Sequence, residues 1–198
     1  MDKIKIQSKD KVYGTGIIHE FNEREYTVFE LMVIMLIQSD NTAANKIIDL
    51  VGMEQINEDI VAMGLKNTKL NRKTNDERTV VSNIENITTA YDLARIWKHL
   101  SNGTFLSKDN GQMLIDILRR QQIKNKLALY IPDDLKIEIS SKTGDKKGVE
   151  NDTEYLELPK GKFTFTVLSE GIPNSVYGTV SLAKCGKMMW DEVMNNWN

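Results

Sequence analysis

Residues 27–51, TVFELMVIMLIQSDNTAANKIIDLV, constrain this chain more than any other stretch. Of the ten residues from Val28 to Ile37, only Glu30 is polar. Apolar side chains on all sides of a helix predict burial on all sides. Thr27 and Glu30 form a capping box that satisfies the first backbone donors. The hydrophobic run then stops at Gln38-Ser39-Asp40-Asn41, and a second apolar set follows at Ala43, Ala44, Ile47, Ile48, Leu50 and Val51. That spacing predicts a second helix. Three polar side chains are therefore held at the joint of two helices, where they are costly unless they find hydrogen-bond partners. Two readings stay open on this stretch alone. One is a helix N-cap at Asn41 with Ser39 and Asp40 in the turn. The other is a rigidly mounted catalytic Ser-Asp-Asn.

The bulk properties exclude several function classes. A length of 198 residues suits one compact domain or two small lobes. A net charge of −2 gives no electrostatic case for nucleic acid or an anionic membrane. The single cysteine, Cys185, excludes an internal disulfide. His19 and His99, far apart and without nearby cysteines, predict no metal site, and nothing in the chain calls for a cofactor. The apolar run at 28–37 is too short to span a bilayer. The N-terminal MDKIKIQSKDKVYG has no apolar signal core, so the chain as written reads as cytoplasmic.

Taken in order, residues 3–13 predict a short edge strand, and Gly14-Thr15-Gly16 a turn. A polar stretch, His19 to Tyr26, leads to the helix pair. A third helix is predicted over about 53–63, and residues 67–85 read as a polar surface loop. Thr89 with Asp92 caps a helix bearing Leu93, Ile96, Trp97 and Leu100 on one face. Ser107 starts another through Met113, Leu114, Ile117 and Leu118, and residues 125–130 form a short amphipathic piece. Beyond Pro132 the period becomes two. Strands are predicted at 135–141, 153–158 and 163–168, with Pro159-Lys160-Gly161 as a tight connector. A closing helix over about 180–197 turns Leu182, Met188, Met189 and Val193 inward. The fold class is α+β, a single domain with a mostly helical lobe at 12–132 and strands plus a covering helix at 133–198. Methionines 32, 35, 63, 113, 188 and 189, with Trp97 and Trp190, read as core.

The predicted strand 135–141 runs into Lys142-Thr143-Gly144. An ammonium and a hydroxyl at a strand end suit a carboxylate, and glycine lets a ligand approach the backbone edge. A lone triplet of this kind is also an ordinary strand end with a solvated lysine. Ser-Asp-Asn together with Lys-Thr-Gly is a catalytic motif set. Here the chain resembles the penicillin-recognising serine enzymes, and most closely the class A β-lactamases. The resemblance extends to Gly14-Thr15-Gly16, to SDNTAANKIIDLVG, to the segment Ile87-Thr88-Thr89-Ala90-Tyr91-Asp92-Leu93-Ala94, and to Gly148 with Asn151-Asp152 after Lys142-Thr143-Gly144.

The resemblance implies roles residue by residue. Ser39 relays a proton to the leaving nitrogen, and Lys142 lowers its pKa and attracts the substrate carboxylate. Asn41 binds the substrate's side-chain amide, Thr143 hydrogen-bonds the carboxylate, and Asp40 holds the joint. Two parts of the family's machinery do not match. The family's acylated serine opens a buried helix in a Ser-x-x-Lys motif. The two such strings here, Ser8-Lys9-Asp10-Lys11 and Ser181-Leu182-Ala183-Lys184, have the wrong setting: a polar extended segment, and the start of the closing helix where Ser181 reads as an N-cap. Thr74 stands where the family has its deacylating glutamate, and Arg78 where it has an asparagine. Asp76 or Glu77 could serve only through a shifted loop. The expectation is a β-lactamase-related serine hydrolase domain without its front strands and nucleophile helix, inactive as written. The sheet edge so exposed is expected to favour self-association. The alternative is a pseudoenzyme that binds a β-lactam or peptidoglycan stem without chemistry.

Overall fold

The computed structural model describes residues 2–75, 84–132, 135 and 137–197. They form two compact units, residues 2–75 and 84–88 in the first and the remainder in the second.

The first unit opens with β1 (Lys3–Ile6), paired antiparallel with β2 (Arg24–Thr27) in the register Lys3↔Thr27 to Ile6↔Arg24. The sequence reading placed no strand at 24–27, because three of its four residues are polar. Tyr26 alone faces inward there and is buried with Ile6, Ile18, Leu31 and Ala43. Helix α1 (Val28–Gln38) follows at once, its capping box formed as expected: Glu30 N–H donates to Thr27 Oγ1, and Thr27 N–H to Glu30 Oε2. Burial on every side does not occur. Leu31 is the buried residue of α1, Ile34 and Met35 pack beside it, and Phe29 is 40% exposed. The small β1–β2 sheet and the next helix cover one face of α1 within this unit. α2 (Asn41–Val51) and α3 (Met53–Ala62) complete it.

The second unit begins with α4 (Ala90–Asn102), N-capped by Thr89 through Asp92 N–H as its sequence signals, and α5 (Lys108–Arg119), capped by Ser107. A single 3-10 turn covers Leu127–Tyr130. Three antiparallel strands follow, β3 (Ile139–Lys146), β4 (Val149–Leu158) and β5 (Gly161–Val167), in that spatial order. The meander is as expected, with one shift that matters. β3 starts at Ile139 rather than Leu135, and its pairing continues to Lys146↔Val149. Lys142-Thr143-Gly144 therefore lies in the middle of a ladder, with paired residues before and after it, and not at a strand end.

The closing helix α6 (Ser175–Asn196) starts a turn earlier than its periodicity indicates, because the Asn174 side chain accepts from Tyr177 N–H at 2.9 Å. Ser181 is thus inside α6 and is not a cap. Leu182, Ala183, Trp190 and Val193 face the core, joined by Leu127, Leu156 and Phe165, with Met189 at the margin. Met188 is 72% exposed, since one step along a helix turns a side chain by about 100°. Met113 on α5 likewise faces outward.

Candidate functional site

The residues singled out by sequence fall into two assemblies, one built by each unit.

In the first, α1 ends at Ser39 in the left-handed region, φ 54° and ψ 37°. A non-glycine residue held there costs of order 1–3 kcal/mol, so its surroundings must fix it. The Ser39 carbonyl accepts from Thr15 Oγ1 at 2.7 Å. The N-cap of α2 is Asp40, not Asn41. Asp40 Oδ1 accepts from Ala43 N–H at 2.8 Å, the position that satisfies an orphan donor of the first turn. Its other oxygen accepts from two successive amides of the preceding loop, Ile17 N–H at 2.7 Å and Ile18 N–H at 2.8 Å. Asp40 has no exposed surface. A Cβ at Gly16, whose φ is +93°, would overlap Asp40, so the glycine of the turn permits this approach.

Asn41 opens α2, and its side-chain amide donates to the Tyr13 carbonyl at 2.9 Å. Asn75 donates to the same carbonyl at 2.6 Å. Thr74 belongs to this assembly. Its N–H donates to Asn45 Oδ1 at 2.9 Å, Asn45 Nδ2 returns a bond to the Thr74 carbonyl at 3.1 Å, and Thr74 Oγ1 lies 3.0 Å from Asn45 Oδ1. Thr74 is thus held against α2 and presents a hydroxyl there. Asp76, Glu77 and Arg78 lie outside the described residues. Ser8 sits in a 3-10 turn (Ser8–Asp10) and donates its hydroxyl to Glu23 Oε1 at 2.8 Å.

In the second, β3 presents Lys142, Thr143 and Gly144 opposite Thr153, Asp152 and Asn151 of β4. Lys142 is half-buried and donates to the Thr143 carbonyl at 2.6 Å. Burial draws its ammonium down from 10.5 to about 8. Asp145 and Asp152 oppose that fall, and Lys126 adds to it. Thr143 is buried, with its hydroxyl unpartnered among the protein atoms. Gly144 is exposed, and a Cβ there would meet open space.

The alternate residues of β4 carry a group of acids that sequence reading missed. Asp152 is raised to about 7, first by burial, although Leu127 N–H donates to it at 3.2 Å. Glu154 is raised well above the carboxylate range by burial and then by Asp152. Lys126, also missed, is 2% exposed and pairs with Asp145 and with Glu150 at 2.7 Å. The available signal was the spacing Glu150-x-Asp152-x-Glu154, which puts three acids on one face of a strand. His99 is half-buried and shares a hydrogen bond with Thr104 Oγ1 at 2.7 Å.

Among curated proteins none matches the chain in sequence. Among solved structures it is similar to the β-lactamase from Sphaerobacter thermophilus DSM 20745, at 29% identity and a TM-score of 0.88 over 95% of this chain and 72% of that one. It is similar in fold to PBP-A, at 23% identity and 0.82, covering 98% and 72%. The same holds for a class A β-lactamase representative from Bacteroides cellulosilyticus DSM 14838, at 20% and 0.85, covering 98% and 75%. The model of the β-lactamase enzyme family matches residues 1–193, and the chain belongs to that family.

Proposed function

We propose that the chain recognises the carboxylate of a β-lactam or D-alanyl peptide through Lys142 and Thr143, and that these 198 residues do not acylate by themselves. Gly144 lets the ligand lie against β3. The observation that carries the reading is the partly desolvated Lys142 ammonium, fixed in mid-ladder beside an exposed glycine. A cation so placed attracts a carboxylate more strongly than a solvated one. A variant of PBP-A has been solved as an acyl-enzyme complex with penicillin G, which makes a penicillin the natural probe.

Two observations support recognition without acyl transfer. The Ser8 hydroxyl is spent on Glu23, and Ser181 lies within α6. Titration of the chain with benzylpenicillin, read by calorimetry and by intact mass, tests both parts. Binding without a mass increase, lost in Lys142→Ala, is the expected result. A covalent adduct on Ser8 or Ser181 would overturn the second part, and the absence of any binding the first.

A further inference from the structure

Asp145, one residue past the Lys-Thr-Gly triplet, stands directly across the ladder from Glu150. Two carboxylates at directly opposed strand positions repel and spread the pair. Here the pair does not spread, because the Lys126 ammonium is inserted between them. Lys126 bonds Asp145 and Glu150, the latter at 2.7 Å, and donates to the Asn151 carbonyl at 3.2 Å. An ammonium has three donors, and all three are used. The residue after Lys126 holds the same strand pair, since Leu127 N–H donates to Asp152 Oδ2. The corner is closely packed against α6. A Cβ at Gly186 would overlap the Leu127 carbonyl, so α6 meets this backbone with no side chain between.

We propose that Lys126 is a positioning residue for Lys142-Thr143-Gly144. Its ammonium draws the end of β3 onto β4 through Asp145 and Glu150, and so fixes the backbone from which Lys142 and Thr143 project. The role depends on the carboxylate-recognition reading for its function, but not for its geometry. An ordinary buried ion pair would support the fold alone. A positioning residue also changes what Lys142 meets, and that difference can be measured.

The test follows the Lys142 side chain by NMR titration in the full chain carrying labelled lysine, beside benzylpenicillin binding. Removing the like charge, Lys126→Met, moves the Lys142 midpoint up from about 8 toward 10.5. Removing the attractive charge at the partly exposed Asp145, Asp145→Asn, moves it down. Partial unfolding would move both variants upward, so opposite signs separate positioning from loss of structure. Benzylpenicillin affinity falls roughly tenfold in Lys126→Met. Midpoints that are unchanged, or that shift the same way in both variants, overturn the proposal. So does a shifted midpoint with unaltered affinity. Opposite shifts in a protein that binds no benzylpenicillin in any form would leave Lys126 as the organiser of β3 and refute the recognition reading instead.

Discussion

Asp40 makes the sharpest prediction, because one fully buried carboxylate holds three backbone donors from two segments. Replacing it by alanine removes the α2 cap, worth about 1 kcal/mol. It also strands Ile17 N–H and Ile18 N–H, at roughly 1–2 kcal/mol each. The sum is roughly 3–5 kcal/mol, against total stabilities of about 5–15 kcal/mol for ordinary domains. Asp40→Asn separates the parts. Its remaining carbonyl oxygen can still cap α2 through Ala43, but its amide then faces two N–H groups, donor against donor. Urea unfolding should therefore place the asparagine variant nearer to alanine than to wild type. Amide hydrogen exchange localises the effect: Ile17 and Ile18 lose protection in both variants, and Ala43 loses it in alanine alone. Unchanged exchange at Ile17 and Ile18 would refute the argument, whatever the global stability does.

Two further outcomes follow from the second unit. A carboxyl whose pKa is raised on folding makes the native state the better proton binder, so stability falls as pH rises from the unfolded value through the folded one. For Asp152 that window runs from 3.8 to about 7, with Glu154 acting in the same direction. For Lys142, lowered from 10.5 to about 8, the unfolded chain binds the extra proton and stability rises again across that interval. The denaturation midpoint should accordingly be higher near pH 5 than near pH 7.5, and a rise between those values would contradict the account. Separately, β5 is one of the two outer strands of its sheet among the described residues, and an unpaired edge favours pairing with another chain. The protein should sediment as a dimer or larger species that Thr164→Lys, at an exposed β5 position, dissociates. A monomeric wild type would dismiss the idea.

What the sequence disclosed was local. The Thr27–Glu30 box, the Thr89 cap, the period-two strands and the two motif triplets each lie within a few residues, and pattern reading found them. The misses depend on distant partners. Asp40 reads as a turn residue until Ile17 and Ile18 are brought to it, so the cap went to its neighbour Asn41. β2 has four residues and one inward side chain, too little for a period to show. Lys126 lies in the short amphipathic piece at 125–130, where a lysine carries no sign of burial. Only Asp145, Glu150 and the Asn151 carbonyl, all at least nineteen positions away, explain its burial. The burial expected of α1 failed for the same reason: an apolar composition states what a helix can bury, and its neighbours decide how much it does.

Both assemblies divide labour between residues that support and residues that present. Asp40 in one unit and Lys126 in the other are saturated by hydrogen bonds and contribute geometry. Lys142 is the opposite case. Its pKa is lowered mainly by burial, and the attraction of Asp145 and Asp152 does not restore it. In its charged form it therefore costs stability. A buried cation of this kind is what the carboxylate of the proposed ligand would meet. Thr143, the next residue of β3, is buried with its hydroxyl unpartnered among the protein atoms. The proposed recognition at Lys142 and Thr143 therefore draws on the burial of one and the unbonded hydroxyl of the other as well as on the motif.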